Sequence, residues 1–151
     1  MSAYRQILFH IVFRTKRSEK TINLTHSDKL KNYIWGIITN KKCKLFRINC
    51  MEDHFHILSD LHPSVALADY IKDIKVASSK WIKASGFFPH FRGWGVKYCA
   101  LTYSYKEREV IINYIKNQQE HHKKESFQDE IKRLFKEYGI ETDEKWFWEE
   151  S

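Results

Sequence analysis

The sequence contains no apolar run of roughly 18 residues or more, so no stretch of it reads as a membrane-spanning helix. The opening Met1-Ser2-Ala3-Tyr4-Arg5-Gln6 is not followed by an apolar core and a small-residue cleavage site, so an export signal is not expected and the cytoplasm is the default location. Cysteine is scarce: Cys43, Cys50 and Cys99 make an odd count with no C-x-x-C pair. That excludes a disulfide framework and a cysteine zinc site, and leaves buried, reduced thiols. No internal repeat or low-complexity segment is visible. No carboxylate-rich cluster is visible either, which argues against a metal-dependent hydrolase of small phosphoesters.

What the chain does have is basic charge and aromatic rings. Its 151 residues suit one domain with a real core, and 42% are hydrophobic and 15% aromatic. The formal net charge is +7. The cations recur beside rings, as in Phe13-Arg14-Thr15-Lys16-Arg17, Lys80-Trp81-Ile82-Lys83 and His90-Phe91-Arg92-Gly93-Trp94. A basic, aromatic-rich domain suits a polyanion, with rings available to stack on unpaired bases. Candidate phosphate contacts are Lys16, Arg17, Lys72, Lys75 and Arg92.

Periodicity orders the elements. Residues 4–13 alternate as a strand, with Ile7, Phe9, Ile11 and Phe13 on one face and Leu8, His10 and Val12 on the other. A helix over about 27–40 places Leu30, Tyr33, Ile34, Ile37 and Ile38 on one stripe, with Thr25 or Ser27 as its cap. Residues 43–50 and 53–61 read as an antiparallel hairpin. Pro63 opens a long helix to about Ala84, lined by Leu67, Ile71, Ile74, Ser78, Trp81 and Ile82. The loop 86–95 carries aromatics that either tuck under the domain or meet a ligand, and 96–103 is a fourth strand. A helix over about 106–122 has Val110, Ile111, Tyr114, Ile115 and Gln118 on its stripe. Ser126 caps a last helix lined by Phe127, Ile131, Leu134, Phe135 and Tyr138 and ended by Gly139. The aromatic, acidic tail 144–149 is expected to dock on a protein surface. The order β-α-β-β-α-β predicts an α+β fold: the ferredoxin-like split βαβ antiparallel sheet with two helices on one face, plus a C-terminal tyrosine-bearing helix and a further terminal helix. The expected division is a core of 1–122 and a helical extension of 123–151.

The chemistry centres on Asp53-His54-Phe55-His56-Ile57-Leu58. On a strand the side-chain period is two, so His54 and His56 share one face while Phe55 and Ile57 share the other. Two imidazoles side by side are part of a divalent metal site. Tyr114 and Gln118, four residues apart on a helix, lie within about 40° of each other, one turn apart. If Gln118 completes the metal site, Tyr114 lies beside it, placed to attack a phosphodiester and form a phosphotyrosine.

These motifs resemble the single-tyrosine HUH transposases of minimal bacterial insertion sequences and of repetitive palindromic elements, where HUH denotes histidine–hydrophobic–histidine. The resemblance rests on His54-Phe55-His56, on His10-Ile11-Val12-Phe13 with Thr15-Lys16, and on Val110 to Gln118, in that order, over residues 4 to 122. It implies an enzyme that cuts and rejoins single-stranded DNA at element ends through a 5′-phosphotyrosine, recognises DNA hairpins and uses Mg2+ or Mn2+. It implies a homodimer, with active sites that can assemble in trans. Carried onto this sequence, His54, His56 and Gln118 are metal ligands and Tyr114 is the nucleophile. His121 and His122 remain alternatives to Gln118, and Tyr98, Tyr103 and Tyr105 to Tyr114. The competing expectation is a non-catalytic single-stranded nucleic-acid-binding protein. The resemblance gives the terminal extension no role.

Overall fold

Alternation along four strands builds an antiparallel sheet with two different faces. In the computed structural model, which describes residues 4–141 and 148, the strands are β1 (Leu8–Thr15), β2 (Leu45–Cys50), β3 (His54–Ser59) and β4 (Trp94–Tyr103). Their order is β2-β3-β1-β4, with every neighbouring pair antiparallel. Helices α1 (Ser27–Asn40) and α2 (Leu67–Ser85) close one face over Ile11, Phe13, Phe55 and Ile57. This is the expected split βαβ core. Helices α3 (Arg108–Lys116) and α5 (Phe127–Glu137) close the other face over Leu8, Val12, Leu58 and Cys99. The terminal extension is thereby a second roof on the same sheet. Among the described residues, no helix is long and apolar enough to cross a membrane.

Several expected boundaries move, each for a local reason. Pro63 does not open α2. The His62 ring accepts from Ser64 N, and Val65 N donates to His62 O, so a tight turn fills the space and the helix begins at Leu67. Gly86 ends it as expected, at φ 78°. Neither Thr25 nor Ser27 caps α1; Asn23 caps a short 3-10 turn, Leu24–His26, that leads into it. The expected 106–122 helix breaks at Asn117, giving α3 and a single turn, α4 (Gln118–His121). Val110, expected on the buried stripe, is 68% exposed. The loop aromatics tuck inward: Phe88 and Phe91 are buried, and Trp94 meets Phe13 edge-on. The three thiols are buried and free. Burial pushes the Cys50 thiol up to about 11. Ser126 caps α5 by accepting from Asp129 N, and Gly139 takes a φ of 66° just past it. Of the tail, 144–147 and 149 lie outside the described residues. Trp148 stands edge-on to Phe127, and its carbonyl accepts from Arg14.

Candidate active site

The strand period places His54 and His56 on the α3/α5 face, beneath both helices, where each is fully buried. Their Nδ1 atoms are held from behind. His54 Nδ1 lies 2.6 Å from Asp53 Oδ1, and His56 Nδ1 lies 2.8 Å from His10 Nε2 on β1. His10 Nδ1 in turn meets the Tyr103 hydroxyl at 3.2 Å. With Nδ1 engaged, both Nε2 atoms are directed toward the helices. Asp53 and His10 stand in the quoted motifs, but their orienting role is visible only in the folded chain.

The helices answer with a convergent set. Asn49, at the end of β2, donates to the carbonyls of Ile115 and Lys116, the last residues of α3, and to Gln119 Oε1. That clamp fixes the break at Asn117 and sets Tyr114 with its ring centroid 5.9 Å from that of His56. His122 follows α4, and its Nε2 lies 3.2 Å from His54 Nε2. Gln118 is fully buried, and its amide nitrogen donates to Glu130 Oε2 at 2.9 Å.

Glu130, from α5, is the residue the sequence reading missed. It is fully buried, yet it stands on the apolar face of α5 between Phe127 and Ile131. Its Oε1 lies 3.2 Å from His56 Nε2, 3.0 Å from His122 Nε2 and 3.5 Å from His54 Nε2. Its Oε2 accepts from the Tyr114 hydroxyl. Arg133, one turn on, donates from Nη2 to the same hydroxyl at 2.9 Å and is paired with Glu125 at 3.1 Å. The one signal was an acidic residue at an apolar-stripe position, i+3 from Phe127.

The electrostatics follow from this packing. Burial would raise the Glu130 carboxyl, but the imidazoles of His56, His122 and His54 hold it far below the usual carboxylate range. Burial and the neighbouring Glu130 charge push the Tyr114 phenol up, against the pull of Arg133. Burial lowers His56, and burial together with His56 lowers His10 well below the ordinary value. For His54, burial pulls down, but hydrogen bonds to Asp53 and Glu130 win and raise it.

The remaining expected residues fall elsewhere. Lys72 and Lys75 line a groove of about 560 Å³ between α2 and β4, together with Trp94 and Tyr98. Lys75 Nζ also donates to the carbonyls of Gly95 and Val96. Arg17 lines a second groove, beside Asp53 and Phe127, and Arg92 a third, beside Lys20 and Phe91. Lys16 is exposed at the end of β1, with its backbone N–H on Gly93 O. Of the alternative tyrosines, Tyr103 reaches only His10 in this cluster, while Tyr98 and Tyr105 are exposed on β4 and just after it. His121 stays at the edge of the cluster: its Nε2 lies 2.6 Å from Glu125 and 3.7 Å from Glu130 Oε2.

The donor set fits a divalent ion. His54, His56, His122 and Glu130 each offer one ligand atom, all within 4.8 Å of one another. Gln118 Oε1 is buried and lacks a hydrogen-bond partner, and such an acceptor is satisfied by a cation.

Comparisons with known proteins bear on the family. The family model described as "Transposase IS200 like" matches residues 3–118. The ISDra2 transposase TnpA of Deinococcus radiodurans is 27% identical over 120 residues, covering 75% of this chain and 84% of that protein. The crystal structure of a transposase from D. radiodurans R1 superposes with a TM-score of 0.61 at 28% identity, covering 78% of this chain and 95% of that one. A tyrosine transposase associated with REP elements, solved bound to a REP hairpin, shares the fold at a TM-score of 0.60 and 13% identity, covering 81% and 74%. With the histidine pair, the tyrosine helix and the sheet all inside the matched span, the chain belongs to the IS200-like family of single-tyrosine HUH transposases.

Proposed function

We propose that this transposase cuts and rejoins single-stranded DNA at element ends through a covalent 5′-phosphotyrosine, with metal assistance and recognition of DNA hairpins. The observation that carries the reading is the meeting of Tyr114, His54 and His56 in one buried cluster of a single chain. His54 and His56 would hold Mg2+ or Mn2+, with a further ligand from the α4 region, where Gln118 and His122 both reach the cluster. When bound, the ion supplies Lewis-acid polarisation of the scissile phosphate. Tyr114 Oη attacks phosphorus in line, the P–O3′ bond breaks, and the 3′-oxygen leaves and takes a proton from solvent. Glu130 Oε2 accepts the hydrogen bond of the Tyr114 phenol and orients it, the phenolic proton leaves to solvent, and the Arg133 guanidinium favours the phenolate that remains. Because the phosphodiester energy is kept in the tyrosine ester, a second 3′-hydroxyl can reverse the step onto another strand.

Contacts within one chain support assembly in cis. A homodimer built by joining sheets belongs to the same proposal. So does DNA contact through Lys16, Arg17, Lys72, Lys75 and Arg92 and their neighbouring rings. The test is covalent capture: wild-type protein, hairpin-bearing single-stranded DNA and Mg2+ or Mn2+ should give an adduct that survives denaturing electrophoresis, and Tyr114→Phe should give none. An undiminished adduct in Tyr114→Phe would remove the nucleophile assignment.

A second reading is a non-catalytic single-stranded nucleic-acid-binding protein. The hydrogen bond that ties the Tyr114 phenol to a buried carboxylate favours it. Tight hairpin binding with no adduct from the wild-type chain would select it.

A further inference from the structure

The family match ends at residue 118, and α5 lies beyond it. Yet the histidines converge on a residue of α5. The spacings around Glu130 Oε1 are those between ligands on one ion. His54, His56 and His122 Nε2 stand 3.5, 3.2 and 3.0 Å from that oxygen. His54 and His122 Nε2 stand 3.2 Å from each other. A tetrahedral ion with bonds of about 2.0–2.1 Å holds its ligand atoms about 3.3–3.4 Å apart.

Orientation adds a second argument. Asp53 and His10 occupy the outer nitrogens of His54 and His56. Gln118 and Tyr114 occupy the outer oxygen of Glu130. For His54, His56 and Glu130 the atom left facing inward is the ligating one. One cation among them and His122 satisfies all four at once.

Resting on the reading of His54 and His56 as a metal pair, we propose that Glu130 is a ligand to the ion. His54, His56, His122 and Glu130 then form a site of three imidazoles and one carboxylate, α5 supplies the last of these protein ligands, and a scissile phosphate oxygen adds as a further ligand when DNA binds. Gln118 holds the outer carboxylate oxygen through its amide nitrogen, while its own Oε1 stays turned to the cluster as a further acceptor for a cation. A site this rich in imidazole selects a transition ion over Mg2+, which favours oxygen ligands and retained water.

The test uses cobalt(II) titrated into metal-free, full-length protein and read by visible absorption. Wild type should take up one equivalent and develop the intense bands of four-coordinate cobalt, and a large excess of Mg2+ should not displace it. Glu130→Gln should bind at least about tenfold more weakly, with the faint bands of a higher coordination number. His56→Ala reports on the underlying pair and should lose the site. Binding unchanged in His56→Ala removes the metal-pair reading itself. Binding lost in His56→Ala but unchanged in Glu130→Gln overturns the role of Glu130 alone. If Glu130→Gln fails to fold by circular dichroism, X-ray absorption of cobalt-loaded wild type decides: three imidazoles and one oxygen support the proposal, and a six-coordinate ion overturns it.

Discussion

The two faces of one sheet carry opposite contents. Toward α1 and α2, strand β3 presents Phe55 and Ile57, which pack with Ile11, Phe13 and the helix stripes into an apolar core. Toward α3 and α5, the same strand presents His54 and His56, which meet His122 and a buried carboxylate. The backbone is shared, and only the parity of the residue number differs. A single strand thus supplies fold and chemistry from alternate positions, and a slip of one residue would exchange them. The difference between the faces is also one of energetics. The apolar face is stabilised by area removed from water. On the other face, buried polar groups are tolerated only while each keeps its partners.

Changes at neighbouring positions of β3 should therefore separate stability from activity. His56→Ala should reduce the covalent DNA adduct by at least about 100-fold, with the far-ultraviolet circular dichroism of wild type retained. Phe55→Ala, one residue away, should cost about 3–5 kcal/mol in urea unfolding, while adduct per folded molecule stays within about twofold. Equal loss of adduct in both would erase the distinction between the faces.

Acid should strike the histidine face first. His10 and His56 are held below their ordinary value of 6.5, and Glu130 below its ordinary 4.5. A group whose pKa is depressed by folding stabilises fully above its unfolded value, and that contribution is lost as pH falls below it. His54 has the opposite sign: its contribution is present below 6.5 and fades as pH rises through its folded value. The depressed groups outnumber it. Metal-free protein should therefore lose stability from about pH 6.5 downward, by about 1.4 kcal/mol per pH unit for each extra proton that the unfolded chain binds. Urea titrations at stepped pH check this, and His10→Gln should flatten the slope.

A smaller effect is expected at the clamp between the hairpin and the tyrosine helix. Asn49→Ala removes the donor to the end of α3 and should cost about 1–2 kcal/mol, with a severalfold slower adduct and unchanged hairpin affinity. The smallest effect belongs to the opposite side. Lys72→Ala should weaken hairpin binding only severalfold and lower the salt slope by about 0.7, with cleavage of bound DNA unaltered. A change in bound-state cleavage would place that groove within the chemistry.

How much of this was legible in the sequence depends on the distance between partners. The stripes of α1 and α2, the parity of β3 and the Ser126 cap are local patterns, and they read correctly. The Tyr114–Gln118 relation was legible as a shared direction, although the helix breaks between them at Asn117. Long-range pairings were not legible. Asn49 meets Ile115 across 66 positions, and His56 meets Glu130 across 74. The single carboxylate among the histidines was not legible for that reason. Glu130 stands at an apolar-stripe position of α5, which is a local signal, and only the docking of α5 shows what it meets.

That docking also has a timetable. At about 5–20 residues per second, the ribosome makes Glu130 about 4–15 s after His56. Throughout that interval the growing chain carries β1 and β3 with the histidines of one face still uncovered. The apolar side can close first, since α1 and α2 precede α5 in the chain. The newborn transposase is thus a folded half whose histidine cluster stays unfinished until α5 has been made.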